Sequence, residues 1–280
     1  MSIHLDHSGL VVRDLDHAAR QMTAMGFALT PRSFHTVPNA DGSLRPAGTA
    51  NHCAMLERGY LEIIAVTDPA AVSFSRDEIG GFAKRFEGLH LLAMGTTEAG
   101  ALEASLHLPG RDLSRAIGND VARFRLVPIP PLSGVDMTFF FIEHRTRSLL
   151  WTPELLVHPN GATGLLELVV LADDLEGAGK RYADVLGSPV PGGDGILSFP
   201  LDRSRFLVMT PEAAGEHFGA GVPEHALPHC AGQSVEVRDL ATAAAVLEHN
   251  GVAFVRHNGR LTVAPPDAGG AFLQFAEVGK

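Results

Sequence analysis

What this sequence has little of narrows its function before any motif is read. It holds only two cysteines, Cys53 and Cys230, far apart and outside any CxxC spacing, so neither a disulfide framework nor a thiolate zinc site is expected. It has no basic excess. Its 22 Lys and Arg are outnumbered by 32 Asp and Glu, and the formal charge of −10 is spread without a long run of one sign. Such a surface is a poor partner for nucleic-acid phosphates or anionic membranes. No stretch approaches the ~18 uninterrupted apolar residues that would cross a bilayer. The residues after Met1, Ser-Ile-His-Leu-Asp, lack the basic and then apolar regions of a secretion signal. The expectation is a cytoplasmic protein with a small-molecule substrate, no nucleic-acid or membrane partner, and homodimer formation left open.

What is present begins with 280 residues, 45 % hydrophobic and 19 % charged, enough to bury a real core. Fourteen histidines is a high count, and histidine is the commonest metal ligand. A repeat also runs through the chain. SGLVVRDLDHAARQMTAMG at 8–26 is echoed by QSVEVRDLATAAAVLEHNG at 233–251 and by LLELVVLADDLEGAGKRYADVLG at 165–187. LHLLAMGTTEAGALEASL at 89–106 is a weaker fourth copy, with Thr97 as its expected cap. In the first three, a β-type run reaches an Asp placed to cap an amphipathic helix, and a Gly ends the helix.

After each helix the pattern predicts further strands. They are 26–32, 51–56 and 60–66 in the first unit, and 124–129 and 135–144 in the second. The third offers 195–201 and 204–210; the fourth offers 252–257, 260–265 and 271–277. Insertions fall at 36–48, 67–86 and 211–228, and HPNGATG at 158–164 reads as a joint. The expected fold class is α+β: four βαβββ units forming two paired-repeat cupped mixed sheets, 1–157 and 158–280.

Strand alternation then sorts the polar residues by face. His7 shares a face with Leu5 and Gly9, while Leu10 and Val12 meet the helix. On YLEIIAV, Glu62 takes the open face with Tyr60 and Ile64. A carboxylate in an apolar strand is costly unless paired or bound to a cation. His90 holds the place of His7 in the second unit, with Leu89, Leu91 and Ala93 opposite, and Glu143 stands near the end of that unit's last strand. Units three and four offer Glu167, Val208, Gly232 and Gln274 instead, so the first half is the expected metal-bearing one.

DHSGLVVRDL opening the first unit and YLEIIAV closing it resemble the vicinal oxygen chelate superfamily, with the glyoxalase, bleomycin-resistance and extradiol dioxygenase fold. GTANHCAMLERGYLEIIAV with HPNGATG resembles, more narrowly, the bacterial glyoxalase-like domain proteins. The resemblance implies paired units cupped around a divalent metal, with His7, Glu62, His90 and Glu143 as ligands. Ni, Zn, Co, Mn and Fe all tolerate two imidazoles and two carboxylates.

Two positions of an octahedron would stay open for vicinal substrate oxygens, and the metal would stabilise an enediolate or other oxyanion. Glu143 or Glu62 would also serve as the base. The expected activity is a lyase or isomerase of glyoxalase type. An Fe(II) dioxygenase and a non-catalytic binding or resistance protein are the alternatives. For substrate contact the candidates are Asn51 or His52, whichever the register turns inward, and His35 and Arg45 on the insertion. His144 is expected on the helix side or the rim, and His158 in a structural turn.

Overall fold

The computed structural model describes residues 2–130 and 137–278. The first unit comprises β1 (Ile3–Val11), α1 (Leu15–Ala24), β2 (Ser33–Pro38), β3 (Leu44–Met55) and β4 (Tyr60–Val66). After α2 (Phe74–Arg85), the second comprises β5 (Gly88–Thr96), α3 (Ala99–Leu106), β6 (Arg111–Ile117), β7 (Asp120–Pro128) and β8 (Thr138–His144). The third has β9 (Ala162–Leu171), α4 (Leu175–Leu186), β10 (Val190–Gly193), β11 (Ile196–Leu201) and β12 (Ser204–Met209). Helix α5 (Pro211–Phe218) precedes the fourth, which has β13 (His229–Val237), α6 (Leu240–His249), β14 (Val255–His257), β15 (Arg260–Val263) and β16 (Phe272–Ala276). None of the described helices is long and apolar enough to cross a membrane.

The capping signals act as their chemistry requires. Asp14 accepts a hydrogen bond from the His17 amide, Asp174 from Gly177, and Asp239 from Ala241 and Thr242. Gly26, at φ +86° directly after α1, takes the left-handed turn a side chain would resist. The strands differ from expectation in several places. Residues 26–32 are not a strand, and the stretch read as an insertion at 36–48 is largely the β2–β3 hairpin. Strands β6 and β10 had no sequence signal, because their side chains are mostly exposed and carry no apolar alternation. Val135 and Asp136 of the 135–144 run lie outside the described residues.

Each half has the same strand plan. Strands β1 and β5 pair antiparallel at the centre of the first, each flanked by its own unit's last strand in parallel, β4 and β8. In the second half β9 and β13 do the same with β12 and β16. The halves meet at the pair Cys230 and Leu89, so all the strands belong to one branched sheet. One face carries the main core, in which Leu10, Val12, Leu89 and Phe141 pack with Met22, Leu168 and Phe275. The other face is concave in each half and is covered by the inserted helices. Ile79 and Phe82 of α2 pack on Val11 and Ile64, and Phe218 of α5 stacks on Phe272 at 4.3 Å.

Candidate functional site

The first concave face is organised by an irregularity in β1. Between Leu5 and His7 the register against β5 slips by one residue, leaving Asp6 as the extra residue of a β-bulge. The bulge turns Leu5 into the main core, away from the face expected for it, and brings Asp6 beside its neighbour. His7 Nδ1 lies 2.7 Å from Asp6 Oδ1, and His144 Nε2 lies 3.0 Å from the same carboxylate. Both histidines donate, because an ionised carboxylate only accepts. Burial alone would raise the Asp6 pKa; the hydrogen bonds from His144 and His7 outweigh it and hold the carboxyl well below the usual range. His144 therefore sits on the concave side, not on the helix side or rim expected of it.

The His7 ring stacks on Tyr60 at 4.3 Å and meets the edge of Phe140 at 5.6 Å. With Nδ1 committed to Asp6, the ring presents Nε2, which makes no hydrogen bond among the described residues. Burial, then the charges of Asp6 and Glu62, keep the Tyr60 phenol protonated far into the alkaline range.

Glu62 pairs with Gly9 across β1 and β4, two residues along from the His7–Tyr60 pair, and is buried on this same face. Its Oε1 accepts from Asn51 Nδ2. That resolves the register left open in the sequence: Asn51 faces the cup, and His52 faces away, its Nδ1 2.8 Å from the Thr30 carbonyl. His35, on β2, joins the cup group and lies 2.9 Å from Thr49 Oγ1. Burial lowers its pKa, with Glu62 opposing. Arg45 does not join them; it reaches the Val72 carbonyl beside α2. His158 is structural, accepting from the Ala28 amide and donating to the Met55 carbonyl.

Glu143 and His90 do not reach this cup. On β8 the alternation puts Phe140, Ile142 and His144 inward and Phe139 and Phe141 in the main core. Glu143 follows the core-side parity, and its carboxylate receives the Ala99 amide at 3.3 Å, at the start of α3. It supplies the charge a helix start favours, at a helix whose own Glu98 makes no side-chain cap. His90 lies at a second bulge, where β5 slips against β1 between Leu91 and Leu89. Leu91 and Ala93 consequently line the same face as Gly9 and His7, contrary to the parity read from sequence. The Cβ that Gly9 lacks would stand 2.7 Å from Leu91 Cβ. His90 is fully buried, stacked on Phe82 at 4.7 Å and against Phe86 at 4.3 Å.

Superfamily members commonly use divalent metals, and the expected set can be tested on its donors. Of His7, Glu62, His90 and Glu143, only His7 and Glu62 share the cup. Among the described residues no group of three or more His, Cys, Asp or Glu is placed to hold one ion. The residues do not fit the four-ligand site.

The second cup uses the equivalent ground differently. Glu167 on β9 is fully buried, and its carboxylate is met by Arg260, Arg205 and Ser234. Burial would raise its pKa, but the Arg260 hydrogen bond and the charges of Arg260 and Arg205 bring it to about 2. Gln274 holds both Arg260 and the His217 carbonyl. Between the halves lies a cavity of about 620 Å³, lined by Arg13, His17, Phe86, His225 and Phe272 among others. No residue of the Asp6–His7 or Glu62–Asn51 groups lines it.

Asp6 was missed by sequence reasoning, and Tyr60, placed on the open face, was given no role. Asp6 was hidden because alternation assigns it the face opposite His7, and only a bulge overturns that.

No curated protein matches this chain. Among solved structures, a hypothetical protein from Staphylococcus aureus is similar at TM-score 0.66 and 11 % identity, covering 99 % of this chain and 100 % of that one. A mutant of 4-hydroxymandelate synthase from Streptomyces coelicolor is similar at TM-score 0.62 and 13 % identity, over 100 % and 94 %. A fusion of a xylose isomerase-like TIM barrel with 4-hydroxyphenylpyruvate dioxygenase follows at TM-score 0.56 and 11 % identity, over 97 % and 48 %. These likenesses are of fold, and residues 5–186 match the family described as glyoxalase-like domain. With the repeated βαβββ plan and that match over more than half its length, the chain belongs to the glyoxalase-like domain family of the vicinal oxygen chelate superfamily.

Proposed function

We propose that the first cup is an active site of the lyase or isomerase class, in which His7 moves a proton at a carbon beside a carbonyl of a small oxygenated substrate. The observation that carries this reading is the Asp6–His7 pair. A buried carboxylate on Nδ1 fixes the tautomer, leaves Nε2 as the acceptor, and favours the imidazolium that forms when the proton arrives. The substrate's C–H bond breaks, its electrons pass to the carbonyl oxygen, and the proton rests on Nε2 until it is returned to the product. Tyr60, kept protonated beside the base, supplies a donor for the oxygen that gains charge. His144, the second partner of Asp6, is a positioning residue. The iron dioxygenase alternative needs two histidines and a carboxylate on one ion; among the described residues no three such donors are so placed, and no step is assigned to a metal.

Solvent-deuterium exchange, followed by NMR over a panel of small hydroxyketones and 2-oxo and 2-hydroxy acids, tests this. A member of the panel should exchange with wild-type protein. His7→Asn should slow exchange by roughly 10²–10⁴-fold, and Asp6→Asn should slow it less while shifting its pH profile. Exchange that survives His7→Asn would sink the reading.

A further inference from the structure

His144 and Tyr60 flank His7, one through the shared Asp6 carboxylate and the other by stacking at 4.3 Å. They stand on strands to either side of the central pair, in the order β4–β1–β5–β8. One ring touches both. The buried Trp151 indole meets His144 edge to face at 4.8 Å and Tyr60 at 5.9 Å.

Trp151 is itself fixed. It belongs to the segment 145–158, which leaves β8 and returns to the end of β3 and the turn before β4. Three successive carbonyls there take donors from that segment: Met55 from His158 Nε2 at 2.7 Å, Leu56 from Trp151 Nε1 at 2.8 Å, and Glu57 from Arg147 Nη2 at 3.2 Å. Arg147 Cζ also lies 3.8 Å from the centre of the indole, a cation on an aromatic face. The segment is therefore a strap from one flank of the cup to the other.

His144 depends on that strap. Its Nε2 is bound to Asp6, but its buried Nδ1 has no hydrogen-bond partner among the described residues. A ring tied at one nitrogen can pivot on that bond unless packing stops it. Two aromatic rings do so here, Phe124 at 5.2 Å and Trp151 at 4.8 Å. Phe124 is the cross-strand partner of His144 on β7, so Trp151 is the part of this cage that the sheet does not supply.

We propose that Trp151 is a positioning residue for the proton transfer: it holds His144 on Asp6 and Tyr60 against His7, so that Asp6 keeps both donors and His7 keeps one orientation. Its own ring is spent on these contacts, and no catalytic step is assigned to it. The proposal rests on the proton-transfer reading for what the positioning serves, and not for the positioning itself.

Trp151→Phe and Trp151→Leu in the full chain form the test set, with Phe199→Leu, in the core of the second half, as the control for lost packing. Phe keeps a ring toward His144 but loses the donor to Leu56, and Leu loses both. In a long-range proton–nitrogen NMR spectrum, with His144 assigned by its absence in His144→Gln, wild type should show His144 as a single tautomer protonated on Nε2. Trp151→Leu should turn it into a mixture of tautomers and slow deuterium exchange of the reactive panel compound by about 10–10²-fold, with half-saturation unchanged. Trp151→Phe should fall between the two, and it carries the test if Trp151→Leu does not fold. Phe199→Leu should lower stability in urea and change neither readout. A single His144 tautomer in both Trp151 variants, undiminished exchange in both, or the same losses in Phe199→Leu overturns the proposal. If no compound exchanges with any protein while His144 responds as stated, the proton-transfer reading falls alone. If exchange requires His7 but neither Trp151 variant alters it, this proposal falls alone.

Discussion

His7 and Glu167 stand at the same place in their units, each seven residues before the aspartate that caps the next helix, Asp14 and Asp174. Their cross-strand partners are Tyr60 and Arg205. From this shared position the two cups diverge. In the second, two arginines and a serine close around the carboxylate, Gln274 accepts from Arg260 behind it, and α5 fills the apolar remainder with Phe218. In the first, His7 Nε2 is left with chemistry to offer. The fold supplies two equivalent cups. The carboxylate of the second is spent on its own arginines, whereas the Asp6 carboxylate of the first orients His7 and leaves that ring's Nε2 available; a buried network closed on itself serves stability.

Breaking the second cup should cost the most. Glu167→Ala leaves Arg260 partly buried without its carboxylate, a loss of about 3–5 kcal/mol readable in urea denaturation, with the Asp6–His7 and Glu62–Asn51 hydrogen bonds of the first cup unaltered. His7→Asn, at the matching position, should change stability by a small fraction of that while removing exchange. If both variants lose stability equally, the contrast between the cups fails.

Acid should also act mainly through the second half. Burial lowers His217 to about 4, against the pull of Glu167. His229 is likewise lowered to about 4, by burial and then by His225 and His90, with the Ala226 backbone opposing. Both rings are favoured neutral in the fold, so between about pH 6.5 and 4 the unfolded chain binds more protons. Their contribution is whole above that window and is lost as pH falls through it, to the extent of roughly 1–3 kcal/mol. His229→Phe should flatten this slope in melts recorded across the window; an unchanged slope would show that other groups carry it.

The smallest effect sharpens the geometry. Glu143→Gln removes the charge at the start of α3 and should cost about 0.3–1 kcal/mol, with exchange unchanged. A large loss of exchange would return Glu143 to the active site.

The sequence made the repeat legible because each unit is punctuated by residues with one conformational use, Asp14, Asp174 and Asp239 as caps and Gly26 after α1. Glu62 and His7 were legible as inward residues because their strands read cleanly over the residues that mattered. What failed was parity across bulges. Asp6 and His90 each lie where one strand carries an extra residue, and no property of LDHSGL or LHLLAM announces it. Glu143 failed for another reason: its parity was readable from Phe140 and Ile142, but a metal-ligand pattern outweighed the alternation.

The histidine ring nitrogens test the central claim most directly. A long-range proton–nitrogen NMR spectrum, with His7 assigned by its absence in His7→Asn, should be recorded with and without a compound that exchanges. The account predicts His7 protonated on Nδ1, with Nε2 moving on addition of the compound and His90 unmoved. A His7 that carries its proton on Nε2, or a response confined to His90, would contradict it.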